Sequence, residues 1–212
     1  MNSSENIQDR DDAELVRRGR AGDRGALEAL FGRYQGALFG FISRFVRGAA
    51  EPSDVYQEIV LRAIENIDRY NPKLSFRTWL FTLAANHCKN VLRSREQRGK
   101  FRAASVRRLG DDAEVDVIET ARDASQSPDE AAEGTEFVEA LERELQNLPP
   151  PQREVFILRE FNDISFREIA AILKIPEATA RSRMFLAIDY LRVRLREFSA
   201  GAATSSRAEQ GR

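Results

Sequence analysis

Between Gly110 and Gly134 the chain contains no aromatic residue and is made largely of Asp, Glu, Ala and Ser, with Ser127-Pro128 inside it. Such a stretch buries too little apolar surface to offset the entropy of ordering it. It therefore divides the chain into two folding units joined by a tether. Charge follows the same division. Residues 1–16 carry a net −4, residues 17–110 carry +11, residues 111–136 carry −9, residues 137–198 are neutral and residues 199–212 carry +1. A basic first half can attract a polyanion, since phosphate neutralisation drives non-specific nucleic-acid affinity. A solvated helical surface biased toward Arg would read the same way from composition alone.

The apolar spacing on both sides of the tether is helical. Leu27, Leu30, Phe31, Tyr34, Leu38, Phe41, Ile42 and Phe45 recur at threes and fours and share one face. Gly48 and Pro52 end that stretch, and Ser53 is the expected cap of a helix carrying Val55, Ile59, Leu61, Ala63, Ile64 and Ile67. Tyr70-Asn71-Pro72-Lys73 reads as a turn. Ser75 then caps a helix from Phe76 to about Arg95, with Trp79 directed to the core. In the second unit an amphipathic helix carries Phe137, Val138, Leu141, Leu145 and Leu148 and stops at Pro149-Pro150-Pro151. A second helix from about Gln152 to Phe161 exposes Arg153 and Arg159. A third, Ser165 to Leu173, has the capping-box spacing Ser165…Glu168. Pro176 opens a fourth that reaches Phe198. No period-two alternation competes, so the fold class is all-α: two small helical domains joined by a flexible acidic linker. The expected boundaries are a disordered tail over 1–12, a first domain over 13–96, a linker over 97–136, a second domain over 137–198 and a disordered tail over 199–212.

Composition excludes several chemistries. With one His and one Cys, a His-based triad would have to use His87, and neither a zinc cluster nor an intrachain disulfide can be assembled. No nucleotide-cradling glycine loop and no nucleophile–base pair is present, so the expected entries are no catalytic residue, no metal and no cofactor. No run of about 18 apolar residues exists to insert in a membrane. The polar, acidic start Met1–Asp12 is unlike a signal peptide. The expected compartment is the cytoplasm, with Cys88 a small core residue.

The short break between the third and fourth helices of the second unit fits a helix-turn-helix. In that arrangement the first turns of the last helix enter the major groove, which places Glu177, Ala178, Arg181, Ser182 and Phe185 near bases and phosphates. A plain helical hairpin has the same outline.

Taken together, the segments resemble a sigma-70-family transcription initiation factor of the extracytoplasmic-function (ECF) group, over roughly residues 13–96 and 137–197. Four motifs carry the resemblance: Glu14-Leu15-Val16 with Gly22-Asp23; Asp54-Val55-Tyr56-Gln57-Glu58-Ile59-Val60-Leu61-Arg62; Phe76-Arg77-Thr78-Trp79-Leu80-Phe81 with Ala84-Ala85-Asn86; and Leu148-Pro149-Pro150-Pro151-Gln152-Arg153-Glu154-Val155-Phe156 with Thr179-Ala180-Arg181-Ser182-Arg183. The resemblance implies core RNA polymerase as a partner, through its β′ and β subunits, with Asp54, Gln57, Glu58, Leu61 and Arg62 on the docking helix. It implies promoter DNA as a second partner, both melted and duplex. Asn71, Lys73, Ser75, Phe76 and Arg77 would hold an unstacked base or its backbone, and Asn86, Lys89 and Arg93 the duplex edge of the −10 element. Arg153, Arg159, Glu177, Thr179, Arg181, Ser182, Arg183 and Phe185 would take the −35 element. An anti-sigma factor, which can hold such a protein at the membrane without inserting it, is implied as well. The acidic linker is either an RNA mimic in the exit path or a soluble spacer. Two readings of other kinds compete: a stand-alone helix-turn-helix regulator, and a sigma-like decoy that occupies another factor's partner.

Overall fold

The computed structural model describes residues 3–72, 74–109 and 132–209, with side chains described within 11–72, 74–98 and 137–196. The expected tether lies mostly outside the described residues. Among those described there is no strand. Helices α1 (Ser3–Arg20), α2 (Arg24–Phe45), α3 (Pro52–Glu65) and α4 (Phe76–Leu109) form the first half, with a 3₁₀ turn at Ile67–Arg69. Helices α5 (Ala132–Asn147), α6 (Pro150–Phe156), α7 (Phe166–Leu173) and α8 (Glu177–Glu209) form the second.

Helix starts follow local chemistry. Asp23 accepts a hydrogen bond from the Ala26 amide and caps α2, after Gly22 takes the left-handed backbone (φ +92°) that the tight turn requires. Ser165 and Glu168 form the reciprocal capping box expected for α7. The start of α3 differs from expectation. Glu51, not Ser53, precedes it, and Pro52 fills the first helical position, where a missing N–H costs nothing. Likewise α6 begins inside the proline run, with Pro149 as cap and Pro150 first. It continues into a π-helical turn at Ile157–Phe161, closed by the Asn162 side-chain amide donating to the Ile157 carbonyl (3.0 Å).

α1 begins at Ser3, within the span expected as a tail, and Asp12 is fully buried, accepting from the Tyr34 hydroxyl and pairing with Arg33 at 3.0 Å. A buried carboxylate must be paired to be tolerated, and this one ties α1 to α2. At the other end α8 runs to Glu209, and α4 runs to Leu109 rather than stopping near Arg95.

Phe41, Ile42, Phe45, Ile59, Leu80 and Phe81 of the first half and Leu145, Ile157, Leu158, Ile169, Met184 and Leu191 of the second belong to one buried apolar cluster. The two halves pack on each other. α4 lies against α7, and α2 against the π-helical turn. The Arg44 guanidinium sits 3.9 Å above the Phe161 ring.

Candidate functional site

Three surfaces carry the expected residues. The first is the outer side of α3. Asp54, Gln57, Glu58 and Leu61 lie three, four and seven residues along one helical side and are all exposed, with Arg62 beside them. Leu61 is 60% exposed, which removes it from the core role that its spacing also allowed. Asp54 lies in the first turn, where the helix dipole favours an anion. His87 Nε2 of α4 lies 3.1 Å from the Glu58 carboxylate. Phe39 of α2 is also exposed here, edge-on to Tyr56 with ring centres 6.1 Å apart. Its offset by one residue from the Leu38/Phe41/Ile42 register is the sequence signal that could have revealed it.

The second surface is the loop before α4 and the start of that helix. Arg20 of α1 donates to the carbonyls of Ile67 (2.6 Å), Asp68 (3.1 Å) and Tyr70 (2.6 Å), fixing the chain that enters the loop. The Tyr70 hydroxyl donates to the Leu74 carbonyl at 2.6 Å. Asn71 is exposed on this framed loop and Ser75 half-buried at the start of α4, while Lys73 lies outside the described residues. Leu74 is exposed beside them, an apolar side chain in a polar loop that the sequence reading passed over.

Phe76 corrects an expectation. It is fully buried, with Phe31, Tyr34, Tyr70 and Trp79 around its ring at centre distances of 5.4–6.0 Å. No base can reach it without unpacking that cluster, so it supports the loop from beneath. Trp79 is half-buried against Tyr70 and Phe76, in agreement with a core position. Along α4, Asn86 and Arg93 are open to solvent. Arg77 and Lys89 are not presented in this arrangement. Arg77 donates to the Asn162 backbone carbonyl, and Lys89 Nζ is 2.9 Å from the Glu154 carboxylate.

The third surface is the first turns of α8. Arg181 pairs with Glu177 one turn back and lies 4.7 Å from the Phe166 ring centre. Ser182 and Phe185 are exposed, Phe185 to 70%, while Thr179 and Arg183 are half-buried. Lys174 takes the left-handed backbone (φ 54°) between α7 and α8. Arg159 donates to the Ile164 carbonyl at 3.1 Å and flanks the other side of the cluster, 5.3 Å from the Phe166 ring centre. Arg153 faces inward and does not reach this surface. It donates to Gln146 Oε1 at 2.9 Å, and burial pulls its guanidinium below its ordinary pKa. Behind α8 an apolar cleft of about 390 Å³ is lined by Phe137, Leu141, Phe156, Ile188, Leu191 and Leu195.

Among the described residues no group of three His, Cys, Asp or Glu side chains could hold a metal ion, and no helix is long and apolar enough to cross a membrane. Cys88 is buried, and its thiol is pushed up to about 12, so no thiolate nucleophile forms near neutrality.

The surfaces coincide with known families. Residues 30–98 match the family described as Sigma-70 region 2, and residues 138–191 match Sigma-70, region 4. The RNA polymerase sigma-H factor of Pseudomonas aeruginosa is 34% identical over 176 residues, covering 83% of this chain and 89% of that protein. The ECF RNA polymerase sigma-E factor of Escherichia coli K12 is 32% identical over 183 residues, covering 83% and 90%. Among solved structures, CnrH in complex with the cytosolic domain of CnrY aligns with a TM-score of 0.60 at 24% identity, covering 87% of this chain and 97% of that one. The sigma factor RpoE of Bartonella quintana, in complex with the anti-sigma factor NepR, aligns with a TM-score of 0.57 at 19% identity, covering 79% and 97%. With residues 30–98 and 138–191 matching Sigma-70 regions 2 and 4 in that order, and relatives that match over nearly their whole length, the chain belongs to the sigma-70 family of RNA polymerase sigma factors, in its ECF group.

Proposed function

We propose that the chain binds bacterial core RNA polymerase and directs it to its own set of promoters, with α3, the α4 region and α8 dividing the work. The observation that carries this reading is the exposed line Asp54, Gln57, Glu58 and Leu61 on α3, held on the same bundle as a braced loop and a basic helix. An apolar side chain 60% exposed amid carboxylates suits a partner helix that offers both apolar and cationic groups. Asn71, Lys73 and Ser75 would receive the unstacked base, with Arg77, Asn86, Lys89 and Arg93 contacting the strand backbone and the adjoining duplex. Arg181 and Ser182 would read the upstream element, Glu177 orienting the Arg181 guanidinium from one turn away. Phe185 and Leu186 give this recognition helix an apolar continuation, suited to a thymine methyl rather than to phosphate.

In this reading the chain supplies no catalysis, works in the cytoplasm, and is controlled by an anti-sigma partner. The solved structures it resembles include one with such a factor bound. The decisive experiment is reconstitution with core polymerase and mapping of transcript starts. Asp54→Ala/Gln57→Ala is expected to weaken core binding by roughly tenfold or more, the order of a loss of two interface contacts, with helicity retained. Unchanged affinity removes the docking assignment. Arg181→Ala/Ser182→Ala is expected to lower use of promoters that depend on the upstream element while core affinity stays put. Promoter preference that survives the change removes the recognition-helix assignment.

A further inference from the structure

The apolar cleft of about 390 Å³ behind α8 takes no part in the three surfaces assigned above. α5 supplies Phe137 and Leu141 to its wall, and α8 supplies Ile188 and Leu195. Phe137 is 41% and Ile188 39% exposed, so the described helices leave the cleft partly uncovered. Arg192 and Arg196 also line it, and both are exposed. An open apolar wall with cationic side chains at its edge marks a binding surface. The occupant it suits presents apolar side chains flanked by carboxylates.

Such a segment stands in the chain itself, shortly before α5. Between Leu109 and Ala132 the only large aliphatic residues are Val115, Val117 and Ile118, all within four consecutive positions. Asp111, Asp112, Glu114, Asp116 and Glu119 surround them, and no cation lies between Gly110 and Ala121. Reach is not limiting. Ile118 precedes Ala132 by 14 positions, a chain length of up to about 45 Å. Phe137, on the cleft wall, lies only about 8 Å along α5 from Ala132. A segment tethered so closely acts at a local concentration on the order of millimolar. Three small apolar side chains then suffice, although the same peptide free in solution would bind weakly.

We propose that residues 114–119 of the acidic linker dock in the cleft between α5 and α8 of the free chain. Val115, Val117 and Ile118 meet the wall formed by Phe137, Leu141, Ile188 and Leu195, and the flanking carboxylates turn toward Arg192 and Arg196. The linker then has a seat on the C-terminal half, which neither a spacer nor an RNA mimic requires. None of the residues assigned above to polymerase or promoter takes part, so the seat stands or falls independently of that function.

The test uses the full chain with isotope-labelled Ile and Leu methyl groups and a nitroxide attached at Thr120→Cys, just past the apolar residues. Buried Cys88, its thiol pushed up to about 12, is shielded from the reagent. A second sample adds Val115→Ser, Val117→Ser and Ile118→Ser, which leave the net charge unaltered and fall in no described helix. The paramagnetic relaxation of the Leu141, Ile188 and Leu195 methyls is expected to be at least about twofold weaker in the Ser variant, as for a seat occupied most of the time. Equal relaxation in the two samples overturns the proposal, because the tether then only passes the cleft and leaves it to a separate partner. A mixture of nitroxide-bearing, isotopically plain chains with isotope-labelled chains free of nitroxide is expected to show none of this relaxation. Relaxation of the same strength in that mixture seats the linker of a second copy there and overturns the intramolecular contact.

Discussion

His87 is the chain's only imidazole, and α4 places it almost fully inside, with Glu58 and Arg62 of α3 as its charged neighbours. Burial lowers its pKa from the ordinary 6.5, the Arg62 charge lowers it further, and Glu58 opposes both without reversing them. The unfolded chain therefore binds a proton at this side chain more readily than the folded one. Stability from this group is complete above pH 6.5 and is lost as pH falls through the depressed folded value. The shifted carboxylates do not blur this window, because Glu14 and Asp23 have pKa values held below 4.5 and 3.8 by Arg17 and Arg18. The denaturant midpoint of the wild type is expected to drop between pH 7 and pH 5.5, and that of His87→Gln to drop less. Parallel pH profiles for the two proteins would show that His87 is not the group responsible. Phe76 offers a second residue-scale test. A ring enclosed by four aromatic side chains behaves as core, so Phe76→Ala is expected to cost about 3–5 kcal/mol in chemical unfolding. A loss of strand binding with stability intact would instead restore it to the contact surface. Its burial was hard to read from sequence because a residue at the start of a helix, just after a polar loop, has the outline of an exposed one. Only the arrival of Phe31, Tyr34 and Tyr70 from other segments closes over it.

Helix boundaries are legible where one local signal points one way, and misplaced where the signal is ambiguous or absent. The Ser165…Glu168 box needs only residues three apart, and it forms as expected. Ser165→Ala is expected to cost about 1 kcal/mol, within the range measured for helix caps, seen as a lower unfolding midpoint. A neutral result would mean that the amide of Glu168 finds another acceptor. The extension of α4 past Arg95 has no such signal, since apolar spacing fades there while Arg, Gln and Ala continue to favour helix. Ser53 has the outline of a cap because a proline can end one helix as readily as it opens the next, and here Pro52 opens α3. At the turn of the helix-turn-helix, Lys174 holds a left-handed backbone that side chains disfavour by roughly 1–2 kcal/mol. Part of that returns in Lys174→Gly, less the greater unfolded-chain entropy of glycine. A rise in midpoint corresponding to about 0.5–1 kcal/mol is expected, and a fall would show that the Lys174 side chain contributes more than its backbone strain costs.

At the scale of the whole molecule, the acidic, aromatic-free stretch and the charge distribution point to two halves, and the motifs of α3, of the start of α4 and of α7–α8 stand out as three patterns in the sequence. What none of these encodes is how the halves meet, because the contacts between them pair residues far apart in the chain, from Lys89–Glu154 to Arg44–Phe161, and no local signal specifies such a pairing. Along that seam several contacts gather at Arg44. Its guanidinium covers Phe161, its carbonyl accepts from Gln146, and Glu142 is 3.9 Å away. Energetically coupled halves unfold together only if the free energy of their contact exceeds the stability gap between them. The wild-type chain is therefore expected to melt in one calorimetric transition whose van't Hoff and calorimetric enthalpies agree. Arg44→Ala removes the stacking and the ionic contact while the Gln146 bond to its backbone stays possible. It is expected to resolve the profile into two transitions, one for each half. The two outcomes bear on different claims. Two transitions already present in the wild type would mean that the seam contributes less than the gap between the halves. A single transition surviving in Arg44→Ala would move the coupling away from Arg44, to the contacts of α4 with Asn162, Glu154 and Glu168.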